Sequence, residues 1–69
     1  MNALNLKPNW TDVDRFYASL MDLHRGRTAE ESEAINTRLI LLLANHIGDV
    51  EILEQAMAVA SEPFGPAPA

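Results

Sequence analysis

The sequence predicts an all-α fold, a three-helix up-down-up unit spanning residues 11–61. A flexible N-terminal arm over residues 1–10 precedes it and a disordered tail over residues 62–69 follows. Three observations carry this. Apolar residues recur at helical spacing in the segment that follows Thr11. Good helix starters and stoppers bracket that segment and the two after it. The connections between them are short, and short connections favour antiparallel neighbours.

Residues 1–10 carry Asn, Lys and Pro8 without periodicity and read as an arm. Its apolar residues, Leu4, Leu6 and Trp10, are placed to fold back on the helices, with Trp10 as a core plug. Thr11 is a good N-cap, so the first helix is expected to begin there, with Asp12 and Asp14 meeting the positive end of the helix dipole. Val13, Phe16, Tyr17, Leu20 and Leu23 or His24 then share one face. Gly26 suits the left-handed residue after a helix end, so the helix stops near Arg25.

Thr28-Ala-Glu-Glu31 is a capping box. It opens a second helix from about Ala29 to about Ile47, ~28 Å long at the usual rise. Gly48 ends it, and Asp49 caps a third helix at once. The buried candidates there are Val50, Ile52, Leu53, Ala56, Met57, Val59 and Ala60. Pro63 stops that helix, and the Pro- and Ala-rich end reads as disordered.

The middle of the second helix contains Leu39-Ile40-Leu41-Leu42-Leu43-Ala44. Successive residues step about 100° round a helix, so six in a row reach every side. A third helix that is short and Ala-rich covers only part of that surface. The chain has 69 residues and no cysteine, so neither a large core nor a disulfide offsets the deficit. A second subunit or another protein is expected to complete a face of the second helix.

Ten acidic residues against five basic ones give a net charge of −5, which opposes nucleic-acid binding. The apolar run falls far short of the ~20 residues that span a bilayer. Residues 1–10 do not read as a secretory signal, and the expected location is the cytoplasm.

Candidate chemistry is sparse. His24 and His46 close the first and second helices, at opposite poles of an antiparallel pair, and so do not share a metal within one subunit. Glu30, Glu31 and Glu33 crowd a helix N-terminus, where negative charge is favoured. No Glu-x-x-His spacing of a di-metal bundle accompanies them. Arg25, Arg27 and Arg38 are the concentration of positive charge, and exposed Arg at a turn explains it. Phosphate-binding glycine motifs and a serine elbow are absent from the sequence. No catalytic residue, metal or cofactor is predicted. Asn45 follows the apolar run directly, and with Asn36 and Arg38 raises the question of polar groups that specify one packing.

At Phe16-Tyr17-x-x-Leu20, His24-Arg25-Gly26, Glu30-Glu31-Ser32 and Asn36-x-Arg38-Leu-Ile-Leu-Leu-Leu-Ala-Asn-His-Ile-Gly-Asp49, the chain resembles a family of small proteobacterial proteins catalogued as a domain of unknown function. The resemblance covers about residues 10–60, and the stretch 36–49 is its specific part. It implies a short bacterial protein with no assigned catalytic residues. It further implies an accessory role beside a flavin-dependent oxidoreductase of aromatic catabolism, which no residue of this chain shows.

The sequence therefore reads as a non-catalytic helical interaction protein, either a homodimer or an accessory subunit of a larger bacterial enzyme. Leu39, Leu42 and Leu43 form the expected contact, Asn45 and His46 give it polar specificity, and Phe16, Tyr17 and Leu20 fill the subunit core. The alternative is a small-molecule or anion-binding protein with a pocket lined by Trp10, Tyr17, Arg38 and His46.

Overall fold

The computed structural model describes residues 3–66 of the chain. It contains three α-helices in sequence, α1 (Val13–His24), α2 (Ala29–Ile47) and α3 (Val50–Ser61), with no strand among the described residues. Each helix is bounded by a local hydrogen-bonding device.

The start of α1 lies one cap later than expected. Asp12, not Thr11, is the N-cap, and its Oδ1 accepts from the Arg15 backbone N–H at 3.0 Å. Both residue types cap well, but Asp adds a full negative charge at the positive end of the dipole. The helix ends at His24, and Gly26 turns the chain with φ +73°. At the start of α2 the capping box is complete: Thr28 Oγ1 accepts from the Glu31 N–H at 3.1 Å, and Glu31 Oε1 accepts from the Thr28 N–H at 3.0 Å. Gly48 closes α2 in the left-handed region with φ +74°, its N–H donating to Ala44 O at 2.8 Å. Asp49 Oδ1 then accepts from the N–H groups of Glu51 and Ile52, starting α3 without an intervening loop.

Pro63 has no N–H to continue the α-helical ladder, and Glu62–Phe64 tighten into one 3-10 turn. The expected tail thus begins with an ordered turn, and its residues 67–69 lie outside the described residues, as do residues 1–2 of the arm. The described part of the arm has no regular structure. Two contacts tie it down. The Leu4 N–H donates to Gln55 Oε1 of α3 at 2.9 Å. Trp10 lies against Phe16, ring centroids 5.1 Å apart at a 43° tilt. Trp10 is 60% exposed, so it shields one flank of α1 and is not the core plug expected of it.

The helices do not close over a core, and no described residue is buried. Half-buried apolar side chains among the described residues are Leu4, Leu20, Ile35, Leu39, Ala44, Ile52, Leu53 and Ala56. The expected subunit core of Phe16, Tyr17 and Leu20 is therefore corrected: only Leu20 is half-buried, and the two aromatic side chains are exposed. Val50, Met57, Val59 and Ala60 of α3 are likewise exposed. The physical reason is where α1 meets α2. Contact is made near their junction, with Leu23 beside Ile35, Leu39 and Leu42, leaving Phe16 and Tyr17, farther along α1, uncovered by α2, with Trp10 against Phe16.

The dimensions agree. The radius of gyration is 14.2 Å, against about 11 Å for a compact chain of this length. The extents are 41 × 38 × 23 Å, wide and flat. No helix among the described residues is long and apolar enough to cross a membrane.

Candidate interaction surface

The middle of α2 is where apolar surface concentrates. Ile40, Leu41, Leu42, Leu43 and Ile47 are all exposed, from 49% at Leu43 to 68% at Leu42. With about 100° between neighbours, these five point to most sides of the helix, so no single neighbour within the chain shields them. Of the expected contact residues, Leu39 is half-buried, while Leu42, Leu43, Asn45 and His46 are exposed. Leu39 therefore belongs partly to the junction with α1.

That junction is a polar clamp. His24, the last residue of α1, places Nδ1 2.9 Å from Ser32 Oγ and Nε2 3.0 Å from Asn36 Oδ1. Ser32 and Asn36 are four residues apart and so lie one above the other on α2. The Asn36 carbonyl oxygen only accepts, so Nε2–H donates; the Ser32 hydroxyl can donate or accept and satisfies Nδ1 either way. The sequence reading placed His24 at the end of the first helix, and it is the last residue of α1. The clamp itself was missed. Its signal was the i, i+4 pair Ser32/Asn36 on the face of α2 that follows a four-residue connection from His24.

On the opposite side of α2 lies an open depression lined by Arg38, Leu41, Leu42 and Asn45. A second, lined by Glu30, Glu33, Ala34, Thr37 and Arg38, continues it toward the N-terminus of the helix. Arg38 also borders the depression beside Leu23, yet Trp10, Tyr17 and His46 line none of the three. The four residues expected to form a ligand pocket are thus not gathered around one. Arg25, expected among the positive charges, is occupied by Asp22 at 2.8 Å across one turn of α1. Among the described residues, no group of three His, Asp or Glu side chains is placed to hold a metal ion.

One titrating group stands out. Glu31 is held below the ordinary carboxylate range, first by the hydrogen bond from the Thr28 backbone, which desolvation opposes, with the Thr28 side chain and the Arg27 charge adding to the lowering. Its role is the helix cap.

Residues 4–62 match a family model described as a protein of unknown function (DUF2783). The chain belongs to that family. The DUF2783 match begins at residue 4, within the arm that the resemblance had left outside, and ends just past α3. Its first matched residue, Leu4, is also the one whose N–H is anchored to Gln55. No curated protein and no solved structure matches the chain.

Proposed function

We propose that this DUF2783 protein is a non-catalytic helical interaction protein whose own fold is completed by association through the exposed middle of α2. The observation that carries the reading is the absence of any buried residue among those described, together with five large apolar side chains left open on a single helix. The accessible surface is 6459 Å², about 2,200 Å² more than a compact chain of 7.6 kDa exposes. Burying apolar area is the main favourable term in folding, and a chain that buries so little on its own is left with little net stability. Association supplies the missing burial and makes stability depend on concentration.

Leu39, Leu42, Leu43, Asn45 and His46 belong to the proposed contact region, with no cofactor and a cytoplasmic setting as parts of the same proposal. An accessory subunit of a larger enzyme is its heteromeric form. The test is thermal unfolding of the purified chain across a hundredfold range of concentration, followed by circular dichroism. A midpoint that rises with concentration, or a broad melt without cooperativity, is the expected result. A sharp, concentration-independent transition would show that the single chain is self-sufficient and would end the reading.

A further inference from the structure

We infer that the occupant of the open α2 face is a second copy of this chain, paired antiparallel along the stripe Arg38, Leu41, Leu42 and Asn45. The inference rests on the association reading above and specifies its partner. These four residues fall at i, i+3, i+4 and i+7, the spacing of one helix face, and line one continuous depression. The stripe points away from the side on which Ser32 and Asn36 receive His24; Arg38 and Leu42 border Leu23 at its edge, yet Leu42 stays 68% and Leu41 65% exposed.

Two arguments select a second copy. The first is the pattern itself. A two-fold interface is self-complementary, so the patch must match its own reverse. The stripe reads Arg, Leu, Leu, Asn, polar–apolar–apolar–polar. With the two-fold axis between Leu41 and Leu42, each leucine meets its counterpart, and Arg38 lies level with Asn45 of the second copy. The guanidinium donates to the Asn45 carbonyl oxygen, and the symmetry makes that bond twice. Among the described residues neither side chain has a hydrogen-bond or ion-pair partner within its own chain. A parallel pair would instead set Arg38 against Arg38 and the acidic first turn, Glu30, Glu31 and Glu33, against itself. Residues 39–47 carry no Asp, Glu, Lys or Arg, so the contact escapes the repulsion expected from a net charge of −5.

The second argument is area. Leu41 and Leu42 stand 65% and 68% exposed in the single chain, apolar area that a second copy laid along the stripe removes from water on both sides.

The chain has no cysteine, so one introduced thiol reports on one position. Sedimentation equilibrium of the full chain is expected to give twice 7.6 kDa. Under mild oxidation, Leu41→Cys is expected to form a disulfide-linked dimer, because the two copies meet at the axis. Arg38→Cys is not, because its copies lie about 10 Å apart along the helices, too far for a disulfide. Arg38→Cys combined with Asn45→Cys restores the cross-link. Leu41→Asp is expected to weaken dimerisation at least a hundredfold.

Cross-linking by Arg38→Cys alone overturns the antiparallel register. A dimer that Leu41→Cys fails to link overturns the face. A chain that sediments as a monomer overturns the second copy, and its melting then separates the two ideas. A cooperative monomer removes the association reading as well, whereas a helical but uncooperative one leaves that reading standing with a different protein as partner. The thiol variants need no disruptive side chain, so the result does not depend on whether Leu41→Asp folds.

Discussion

The ends of α2 and its middle follow opposite rules. At the ends, every specifying group sits within four residues of its partner: Thr28 with Glu31, Gly48 with Ala44, Asp49 with Glu51 and Ile52. These contacts need no tertiary structure. In the middle, Ile40, Leu41, Leu42 and Leu43 have nothing local to satisfy them, since apolar side chains are stabilised only by leaving water. The comparison teaches that a helix can be fully specified in extent and still lack the contacts that stabilise it. Local capping sets where α2 begins and ends, whereas the chain's own contacts leave its middle exposed.

The sharpest way to break the comparison is to charge the middle. Leu42 is 68% exposed in the single chain. If it were simply surface, Leu42→Asp would change stability by no more than about 0.5 kcal/mol. In an interface it buries an unpaired carboxylate, and the dissociation constant is expected to rise more than a hundredfold, about 2.7 kcal/mol. Sedimentation of the variant against the parent protein separates the two outcomes by two orders of magnitude. Equal dissociation constants would return Leu42 to ordinary surface.

Next in size is the clamp between α1 and α2. His24→Ala removes both ring contacts, to Ser32 and to Asn36. At about 0.5–1.5 kcal/mol for each hydrogen bond, a loss of about 1–2 kcal/mol is expected, the lower half favoured because the site is partly wet. Urea unfolding at fixed protein concentration measures it. An unchanged midpoint would mean that solvent replaces both bonds without cost and that the clamp does not hold α1.

The same division explains what the sequence disclosed. The bounds of α2 at Ala29 and Ile47, the capping box and the turn glycines all follow from neighbours in the chain, and the structure places them as expected. The shift from Thr11 to Asp12 is a choice between two adjacent residues that cap about equally well, which propensity alone does not resolve. The assignment of Phe16 and Tyr17 to a core failed for a different reason. Their spacing marks an apolar face, but which surface covers that face depends on where α1 packs against α2, and that contact lies at the His24 end. Asn36 shows the intermediate case: its polarity within an apolar helix raised a question, and only the approach of His24 answered it. Asn45 posed the same question, and within one chain it stays exposed.

Glycine 48 tests the rule for the ends. A Cβ there would meet only Asn45 O at 3.7 Å, an ordinary contact, so space is not the constraint. The constraint is φ +74°, where a side chain crowds its own backbone. Gly48→Ala is therefore expected to lower stability by about 1 kcal/mol while leaving the oligomeric state unchanged. Thermal unfolding at one concentration and sedimentation at another read the two quantities separately. A change in oligomeric state at equal helix content would show that the α2–α3 turn also belongs to the interface.

The smallest effect comes from Glu31. Its carboxyl is held below the ordinary range, chiefly by the Thr28 backbone hydrogen bond. A group whose pKa is depressed on folding stabilises the folded state above its unfolded value. That contribution fades as pH falls from the ordinary carboxylate range through the lowered value, because protonation abolishes the charge that receives the Thr28 N–H. Between neutral pH and pH 6 no change from this group is expected, and below pH 4.5 stability should decline. The carboxylate is fully exposed, so the slope is shallow and other acids add to it. Glu31→Gln isolates the contribution: the amide keeps an acceptor oxygen for Thr28 but has no proton to gain, so the variant loses a little stability at pH 7 and declines less steeply in acid. Parallel curves for the two proteins would place the acid sensitivity elsewhere, among the other carboxylates. The test also returns to the contrast between the ends and the middle of α2. A cap titrates with its own residues and is indifferent to concentration, whereas any stability that the apolar run draws from association, as proposed, is set by concentration and is insensitive to the protonation of Glu31.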